Sequence, residues 1–505
     1  MIRVLRKISN QFFHKRMNSI HAFVDNGMQI QKETLLRILE EAKETEFGKK
    51  YNFQSIGSCE EFQEIVPMVT YEEVEQDIIR MKNGEENILW PTSIEFFAKS
   101  SGTTGSLSKY LPVSYEFLQD CHYQGGKDML SFYFNQFPES GILFGKTLAL
   151  GGSLQEDSLG IRSGDISAVL LSNLPVWARL LKTPTQEVAL LSDWEEKSKK
   201  IVATIIKEDL IALAGAPAWV LAIIKKAKEV SGVENLAELW PNLEVFFYGG
   251  TSIKPFQEEY QELLGKEISY MGIYNASEGF FGIQDDISRE GEFLLMLDYD
   301  VVYEFLPFPN KENVEPVFLD KVQEGEIYEL IITTSSGLWR YRIGDLVKVV
   351  STNPLRVAIA GRTKQFINVF GEEVMVHNAE DALREACRKT KAVVNEFTVA
   401  PIFQTKESQG GHQWLVEFGV EPDSLSDFAK ILDQELRLVN SDYNAKRNEK
   451  MPVLQPLVLT ALPQGTFVDW MKSRGKLGGQ HKVPRLSNDR QYVDDILNQY
   501  KPSDV

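Results

Sequence analysis

Cysteine is scarce in this sequence: Cys59, Cys121 and Cys387 are all there are in 505 residues. They are odd in number, far apart and form no Cys-x-x-Cys, which excludes a disulfide framework and a cysteine zinc site. Histidine is nearly as scarce. The six (14, 21, 122, 377, 412 and 481) show no His-Glu-x-x-His or His-x-His spacing. Cys121 and His122 are adjacent, but neighbours on a helix point in different directions, so both are expected to pack rather than to form a thiol–imidazole pair. Basic residues are outnumbered, 54 Lys+Arg against 72 Asp+Glu, for a formal net charge of -18. That balance repels a phosphate backbone and argues against a nucleic-acid partner, while leaving room for a local basic pocket around one nucleotide. No stretch approaches the ~20 apolar residues of a membrane span. Gly-x-Ser-x-Gly is missing too, which removes the nucleophile elbow of a serine hydrolase.

Five basic residues, Arg3, Arg6, Lys7, Lys15 and Arg16, precede the first acid, Asp25. A secretory leader needs an uninterrupted apolar run of about 7–15 residues, and Lys7, Asn10 and Gln11 break it. The segment reads instead as an amphipathic helix with Val4, Leu5, Ile8 and Phe12 inward, an organellar transit peptide being the alternative. A cytoplasmic protein is expected.

What is present is ordinary globular material, 43% hydrophobic and 25% charged, enough for two or three domains at roughly 150 residues each. Residues 28–46 carry apolar positions at Ile30, Leu35, Leu36, Ile38 and Leu39, a helical spacing, and Thr45-Glu-Phe-Gly48 then reads as a glycine stop. Further on, Leu243–Tyr248 and Ile268–Tyr274 are strand-like, each runs into a glycine-containing turn, and a helical stretch, Lys254–Leu264, lies between them. That is a βαβ unit, whose ligands belong beyond the carboxyl ends of the strands. Glu326–Thr334, Leu338–Ile343 and Leu346–Val350, separated by Ser335-Ser336-Gly337 and Gly344-Asp345, give antiparallel or barrel-like character. After Gly361 the pattern becomes helix (Ala379–Lys391), strand, strand, helix (Ser424–Leu438). The expected architecture is α/β: an N-terminal domain over 1–360, a hinge at 361–364, and an α+β domain over 365–505.

Three clusters carry candidate chemistry. Ser100-Ser101-Gly102-Thr103-Thr104-Gly105-Ser106-Leu107-Ser108-Lys109 follows a strand and precedes a helix capped by Ser114. Its glycines allow tight turns with free N–H groups, and its hydroxyls and lysine add donors, so the loop suits a triphosphate. It is not a P-loop, because the second glycine comes too early and no lysine follows it directly. A plain Ser/Gly surface loop fits the same composition. In Tyr274-Asn-Ala-Ser-Glu-Gly279 an aromatic at a strand end can stack on a base and Glu278 can hold a magnesium ion on phosphates; an ordinary turn reads the same way. In Tyr341-Arg-Ile-Gly-Asp345 the carboxylate, placed in a turn between strands, could accept from both ribose hydroxyls, though such turns are common.

Taken in this order, the clusters resemble the Gretchen Hagen family of acyl acid amido synthetases, the auxin-responsive promoter family proteins, a branch of the adenylate-forming enzymes. That family's motifs look like Ser-Ser-Gly-Thr-x-x-Gly-x-x-x-Lys, Tyr-x-x-Ser-Glu-Gly and Tyr-Arg-x-Gly-Asp, and its C-terminus is similar to Gly465-Thr466-Phe467 … Gln480-His481-Lys482-Val483-Pro484-Arg485. The resemblance implies that Ser100, Ser101, Gly102, Thr103, Thr104 and Gly105 hold the phosphates of ATP. It implies that Tyr274 flanks adenine with Ser277 near the nucleotide, that Glu278 binds Mg2+, and that Asp345 binds the ribose with Arg362 beside it. Lys482 would bridge the acid and the α-phosphate, with Lys476 a competing candidate. A small carboxylic acid would be adenylated and its acyl group passed to an amine or amino acid. The acid is expected against the helix Tyr115–Gly125 and around Phe247, Tyr248, Gly249 and Gly250, in a monomer or weak homodimer. Rotation of the C-terminal domain about the hinge would then admit the amine. Lys364-Gln365 and Phe370-Gly-Glu-Glu373 depart from the family pattern, which leaves hinge mechanics and the acceptor open. An acyl-CoA ligase and a non-catalytic nucleotide-binding homologue are the alternative readings.

Overall fold

The computed structural model describes residues 16–100, 109–250, 252–309, 314–363, 366–367, 372, 374–403, 410–447, 454–474 and 482–500. The expected inward residues Val4, Leu5, Ile8 and Phe12 lie outside them. The chain divides into two compact units, Met1–Ile343 with Val347–Ala358, and Gly344–Leu346 with Ile359–Val505.

A long helix of the first unit, Phe23–Ala42, buries Leu35, Ile38, Leu39 and Ala42 at the three- and four-residue steps of one helical face. Gln31 is buried on that face and fully paired. Its amide donates to Leu297 O (2.8 Å) and Val301 O (2.9 Å), and its carbonyl accepts from Tyr303 N (2.9 Å). Gly48 is not a helix stop, as the sequence suggested. Thr45 caps a second helix, Glu46–Lys50, by accepting from Gly48 N at 2.9 Å, so the glycine sits inside that helix. A Cβ on it would fall 2.2 Å from the Ala42 carbonyl oxygen, so the residue is there for close approach.

The strands up to the boundary are β1 (Phe96–Ser100), β2 (Lys109–Val113), β3 (Lys146–Ala149), β4 (Leu154–Glu156), β5 (Arg162–Gly164), β6 (Lys182–Thr183), β7 (Leu210–Gly215), β8 (Val245–Gly249), β9 (Ser269–Ala276), β10 (Gly279–Ile283), β11 (Glu292–Leu295), β12 (Val301–Pro307), β13 (Ile327–Thr334), β14 (Tyr341–Thr352) and β15 (Leu355–Arg362). One sheet has the order β2-β1-β5-β4; the other runs β12-β13-β14-β15-β11-β10-β9-β8-β7-β3-β6. From β6 to β9 neighbours are parallel, and from β9 through β10 and β11 to β15 they are antiparallel. The expected βαβ unit is β8, helix Gln257–Leu264 and β9, paired from Val245↔Ser269 to Gly249↔Ile273. The barrel-like part is the antiparallel half of the same sheet.

Alternation along β8 sends Phe246 and Tyr248 into one core with Leu213, Ile224 and Tyr260, while Val245 and Phe247 join the larger core on the other face. Residues 341–350 form one strand, β14, where two strands and a turn were expected. Gly344 adopts φ 78° inside it, and pairing to both neighbours holds the strand together through that kink.

In the second unit β16 (Phe366–Ile367) pairs with β17 (Val374–Met375), and β18 (Val393–Ile402), β19 (Gly411–Val420) and β20 (Val458–Leu462) form a three-stranded sheet. Helices Val376–Thr390 and Leu425–Val439 cover the face carrying Phe397, Val399, Trp414 and Val416. Helices Thr466–Ser473 and Gln491–Gln499 cover the face carrying Ala400 and Leu415. No helix among the described residues is long and apolar enough to cross a membrane.

One buried ion pair fastens the first unit. Arg340 and Glu304, with side chains 3% and 2% exposed, meet at 2.8 Å, and Arg340 Nη1 also donates to Gln63 O (2.8 Å) and Val66 O (2.6 Å). Arg340→Met strands a buried carboxylate and two carbonyls. It is expected to cost about 3–5 kcal/mol by denaturant titration, and Arg340→Met with Glu304→Leu markedly less.

Candidate active site

The first motif begins on β1. Ser100 pairs through its backbone with Lys109, the first residue of β2, so the loop joins the strands of a hairpin. Ser101, Gly102, Thr103, Thr104 and Gly105 lie outside the described residues. Lys109, at the motif's far end, is 3.5 Å from Glu72 and 5.0 Å from the Tyr71 ring centre. After β2 comes the helix that Ser114 was expected to cap. The Ser114 hydroxyl accepts from Phe117 N (3.0 Å) and donates to Ser335 O (2.7 Å), while Ser114 N donates to the Ser336 hydroxyl (2.9 Å). The start of the helix is thereby tied to the turn before β14.

The second motif closes a hairpin. Ala276 of β9 faces Gly279 of β10, so Ser277 and Glu278 are the whole turn, at the carboxyl end of β9 where a ligand is expected. Both are buried, at 5% and 7% exposed, which is unusual for a glutamate at a hairpin tip. Tyr274 is 3% exposed; its ring meets Phe281 at 5.1 Å and Phe293 at 6.1 Å. Tyr248 is packed in the helix-covered core with its hydroxyl 3.4 Å from Gln284 Oε1, and burial pushes its phenol pKa up. Gly249 is needed for space, since a Cβ there would come 2.7 Å from Asn275 Oδ1, and Gly250 adopts φ 79°.

The third motif and the C-terminal lysine come together in the second unit. Asp345 is 6% exposed and its Oδ1 is 2.9 Å from Arg362 Nε; Thr363 N donates to Gly344 O at 2.8 Å and holds the two strands in register there. Lys482 joins this pair. Removal from bulk water and then the Arg362 charge push its ammonium down to about 8, against the pull of Asp345 and Glu380. The side chain nonetheless keeps solvent contact, so the charged neighbours are the part of that shift with a specific geometric source. Sequence reasoning missed Glu380. It lies on helix Val376–Thr390 among several acids, and only the fold sets it near Lys482 and 3.8 Å from Arg485. Arg485 in turn donates to Phe397 O (3.2 Å). The Lys482 tail runs along β18, with Thr398 donating to Pro484 O (2.6 Å) and Val399 N to Arg485 O (2.8 Å).

A model of the GH3 family N-terminal domain matches residues 16–268, half of the chain. The chain belongs to the GH3 family. The GH3 family central domain matches 294–362 and the GH3 family C-terminal domain 377–491. Among curated relatives, jasmonoyl–L-amino acid synthetase GH3.5 of Oryza sativa subsp. japonica is 25% identical, over 94% of this chain and 94% of that one. Indole-3-acetic acid-amido synthetase GH3.4 of Arabidopsis thaliana is 24% identical over 93% and 91%, and 4-substituted benzoates-glutamate ligase GH3.12 of Arabidopsis thaliana 22% over 94% and 95%. The solved GH3.15 acyl acid amido synthetase superposes with a TM-score of 0.79 at 19% identity, covering 96% of this chain and 95% of that one. A 2-hydroxyisobutyryl-CoA ligase holding its acyl-AMP superposes at 0.61 with 14% identity, over 93% and 90%. The fold is that of the adenylate-forming enzymes.

A lysine at this position could serve phosphate oxygens only while protonated, so if Lys482 takes that part, kcat/KM for ATP should fall as pH rises through about 8. An unperturbed lysine would hold to about 10.4. Arg362→Gln removes a cation that lowers this pKa, so the alkaline limb should move up, and an unmoved limb would assign the titration to another group.

Proposed function

We propose that the chain is a cytoplasmic, ATP-dependent acyl acid amido synthetase: it adenylates a small carboxylic acid and transfers the acyl group to an amino acid. The observation that carries this reading is the gathering of Asp345, Arg362 and Lys482 in one charged cluster of the second unit. An adenylating enzyme needs these side chains in company: a buried carboxylate for ribose hydroxyls and two cations for phosphate oxygens. The curated GH3 relatives, named as synthetases and ligases that join acids to amino acids, support the amide-forming class.

The chemistry follows from leaving groups. A carboxylate attacked directly by an amine would have to expel an oxide. When a carboxylate oxygen attacks the α-phosphorus, pyrophosphate departs and an acyl-AMP anhydride forms. The amine nitrogen then attacks the acyl carbon, AMP leaves with the bonding pair, and the ammonium proton is lost to solvent. Lys482 and Arg362 offset the negative charge that builds on phosphate oxygens in the first step. Asp345 orients the nucleoside through its ribose. The loop 100–105 supplies backbone N–H groups and hydroxyls to the phosphates, and Tyr274, packed between Phe281 and Phe293, builds the wall against which the base lies. Ser277 stands beside the nucleotide. Gly249 and Gly250, side-chain-free at the end of β8, and the neighbouring Tyr248 shape the acid's surroundings.

Glu278 fits a magnesium ion bound through phosphates. It is a single buried carboxylate, and no three His, Cys, Asp or Glu side chains cluster as a metal site among the described residues, which matches an ion that takes most of its ligands from phosphate and water. Such an ion supplies further neutralisation of the triphosphate.

Mass spectrometry of the product from ATP and a pool of small acids, offered amino acids or coenzyme A, tests the whole reading. An acyl–amino acid amide is expected, and thioester alone would make the protein an acyl-CoA ligase. Lys482→Ala should lower acid-dependent pyrophosphate exchange by about 100-fold or more while ATP binding, followed by calorimetry, stays nearly intact. Unchanged exchange would place the role elsewhere.

A further inference from the structure

Both members of the Asp345–Arg362 pair follow a glycine at positive φ, Gly344 at 78° and Gly361 at 141°. Glycine leaves the backbone direction weakly set at both places, so other bonds must fix where the two side chains point. One is Thr363 N, which donates to Gly344 O at 2.8 Å on the far side of Arg362. The other is on the near side. His377 Nδ1 lies 3.1 Å from the carbonyl oxygen of Ala360, the residue before Gly361. Arg362 is thereby bracketed, with the chain held just before it and just after it.

The neighbours of His377 decide which ring nitrogen carries the proton. Asn378 is buried, and its Oδ1 accepts from Met375 N (3.0 Å) and Asn440 Nδ2 (3.1 Å) while its Nδ2 donates to Val439 O (3.1 Å). The nitrogen end of that amide therefore faces His377 Nε2, at 3.1 Å, and Nε2 is the acceptor. Nδ1 holds the proton and donates it to the Ala360 carbonyl, in a neutral ring. The support behind Asn378 is firm. Asn440 Oδ1 accepts from Tyr443 N (2.7 Å), and the Tyr443 hydroxyl donates to Asp433 (2.7 Å), which Arg447 also holds at 2.8 Å. His377 stands in the first turn of helix Val376–Thr390, three residues before Glu380, the carboxylate near Lys482. One helix end thus serves both the strand that carries Arg362 and the segment that carries Lys482.

We propose that His377 is a positioning residue for the adenylation step: its Nδ1–H holds the Ala360 carbonyl so that Arg362 stands on Asp345, set for the nucleotide, while the imidazole itself touches no substrate. This rests on the acid-activating reading above and names a further residue on which that site depends. With the Ala360 bond removed, the freedom of Gly361 passes to Arg362, and a charge misplaced by about 1 Å loses much of its effect on a developing phosphate charge.

The test uses the full chain and two variants that divide the bonds of the ring. His377→Asn puts an N–H near the place of Nδ1 and keeps a donor for Ala360. His377→Gln puts its amide near the place of Nε2 and keeps only the link to Asn378. ATP binding by calorimetry and acid-dependent pyrophosphate exchange are measured for each, with denaturant titration to follow folding. His377→Gln should weaken ATP binding and lower kcat/KM for ATP by about ten-fold or more, with KM for the acid little changed. His377→Asn should recover most of that loss, the two variants being alike in stability. Because the effect passes through Arg362, His377→Gln should cost little more in a chain that already carries Arg362→Gln. Wild-type activity in His377→Gln overturns the proposal. So does an equal loss in both variants, an undiminished loss on top of Arg362→Gln, or a loss that only follows the unfolded fraction, each of which makes His377 a residue of general support. If ATP binding falls in His377→Gln and returns in His377→Asn while no acid supports exchange in the wild type, His377 keeps its role and the ligase reading fails.

Discussion

A carboxylate taken out of water must be answered by a counter-charge, and Asp345 is answered by Arg362 at 2.9 Å. Much of the second unit's chemistry depends on that pair. It fixes the end of β15 against the kink at Gly344 and sets a cation beside Lys482. The same constraint governs the first unit at Arg340 and Glu304, where the pair is structural and fully enclosed. Burial is similar at Asp345 and Glu304; what differs is that Arg362 and Lys482 remain in touch with solvent and Arg340 does not.

The candidate residues sit where secondary structure stops or bends. Glu278 occupies a two-residue turn after a buried parallel strand, Gly249 and Gly250 end the strand beside it, and Asp345 follows a glycine at positive φ. Such places offer backbone groups that the sheet does not consume, and the sheet in turn holds them rigidly. The Lys482 segment achieves the same end differently. It is laid along β18 by Thr398 and Val399, with Arg485 and Phe397 as its anchor, so a short irregular stretch inherits the order of a strand.

How far the sequence reveals this depends on what each residue must do. The βαβ unit is legible because two apolar, strand-like runs flank a helical stretch over 243–274 and each runs into a turn sequence that contains glycine. The helices of the second unit are legible for the same reason, and Ser424 caps one of them by accepting from Asp427 N. Glycine itself is ambiguous: at Gly48 it makes room for the Ala42 carbonyl, which a Cβ would approach to 2.2 Å, and at Gly344 it kinks a continuous strand, yet in sequence both look like the end of an element. The roles of Asp345 and Lys482 come from a resemblance, since neither spacing nor composition distinguishes them from surface charges. The places of Glu380 near Lys482 and of His377 against Ala360 are properties of three-dimensional surroundings, and no local pattern announces them.

The bonds from Ser114 to Ser335 and Ser336 reach across 221 and 222 residues. A ribosome adding about 5–20 residues each second takes roughly 11–44 s to deliver that second partner after the first. Until then the helix that carries Cys121 and His122 has lost its clasp, and β10, the strand it packs against, is itself about 160 residues downstream of Cys121. The nascent protein thus spends much of its synthesis with an apolar helical surface awaiting its cover.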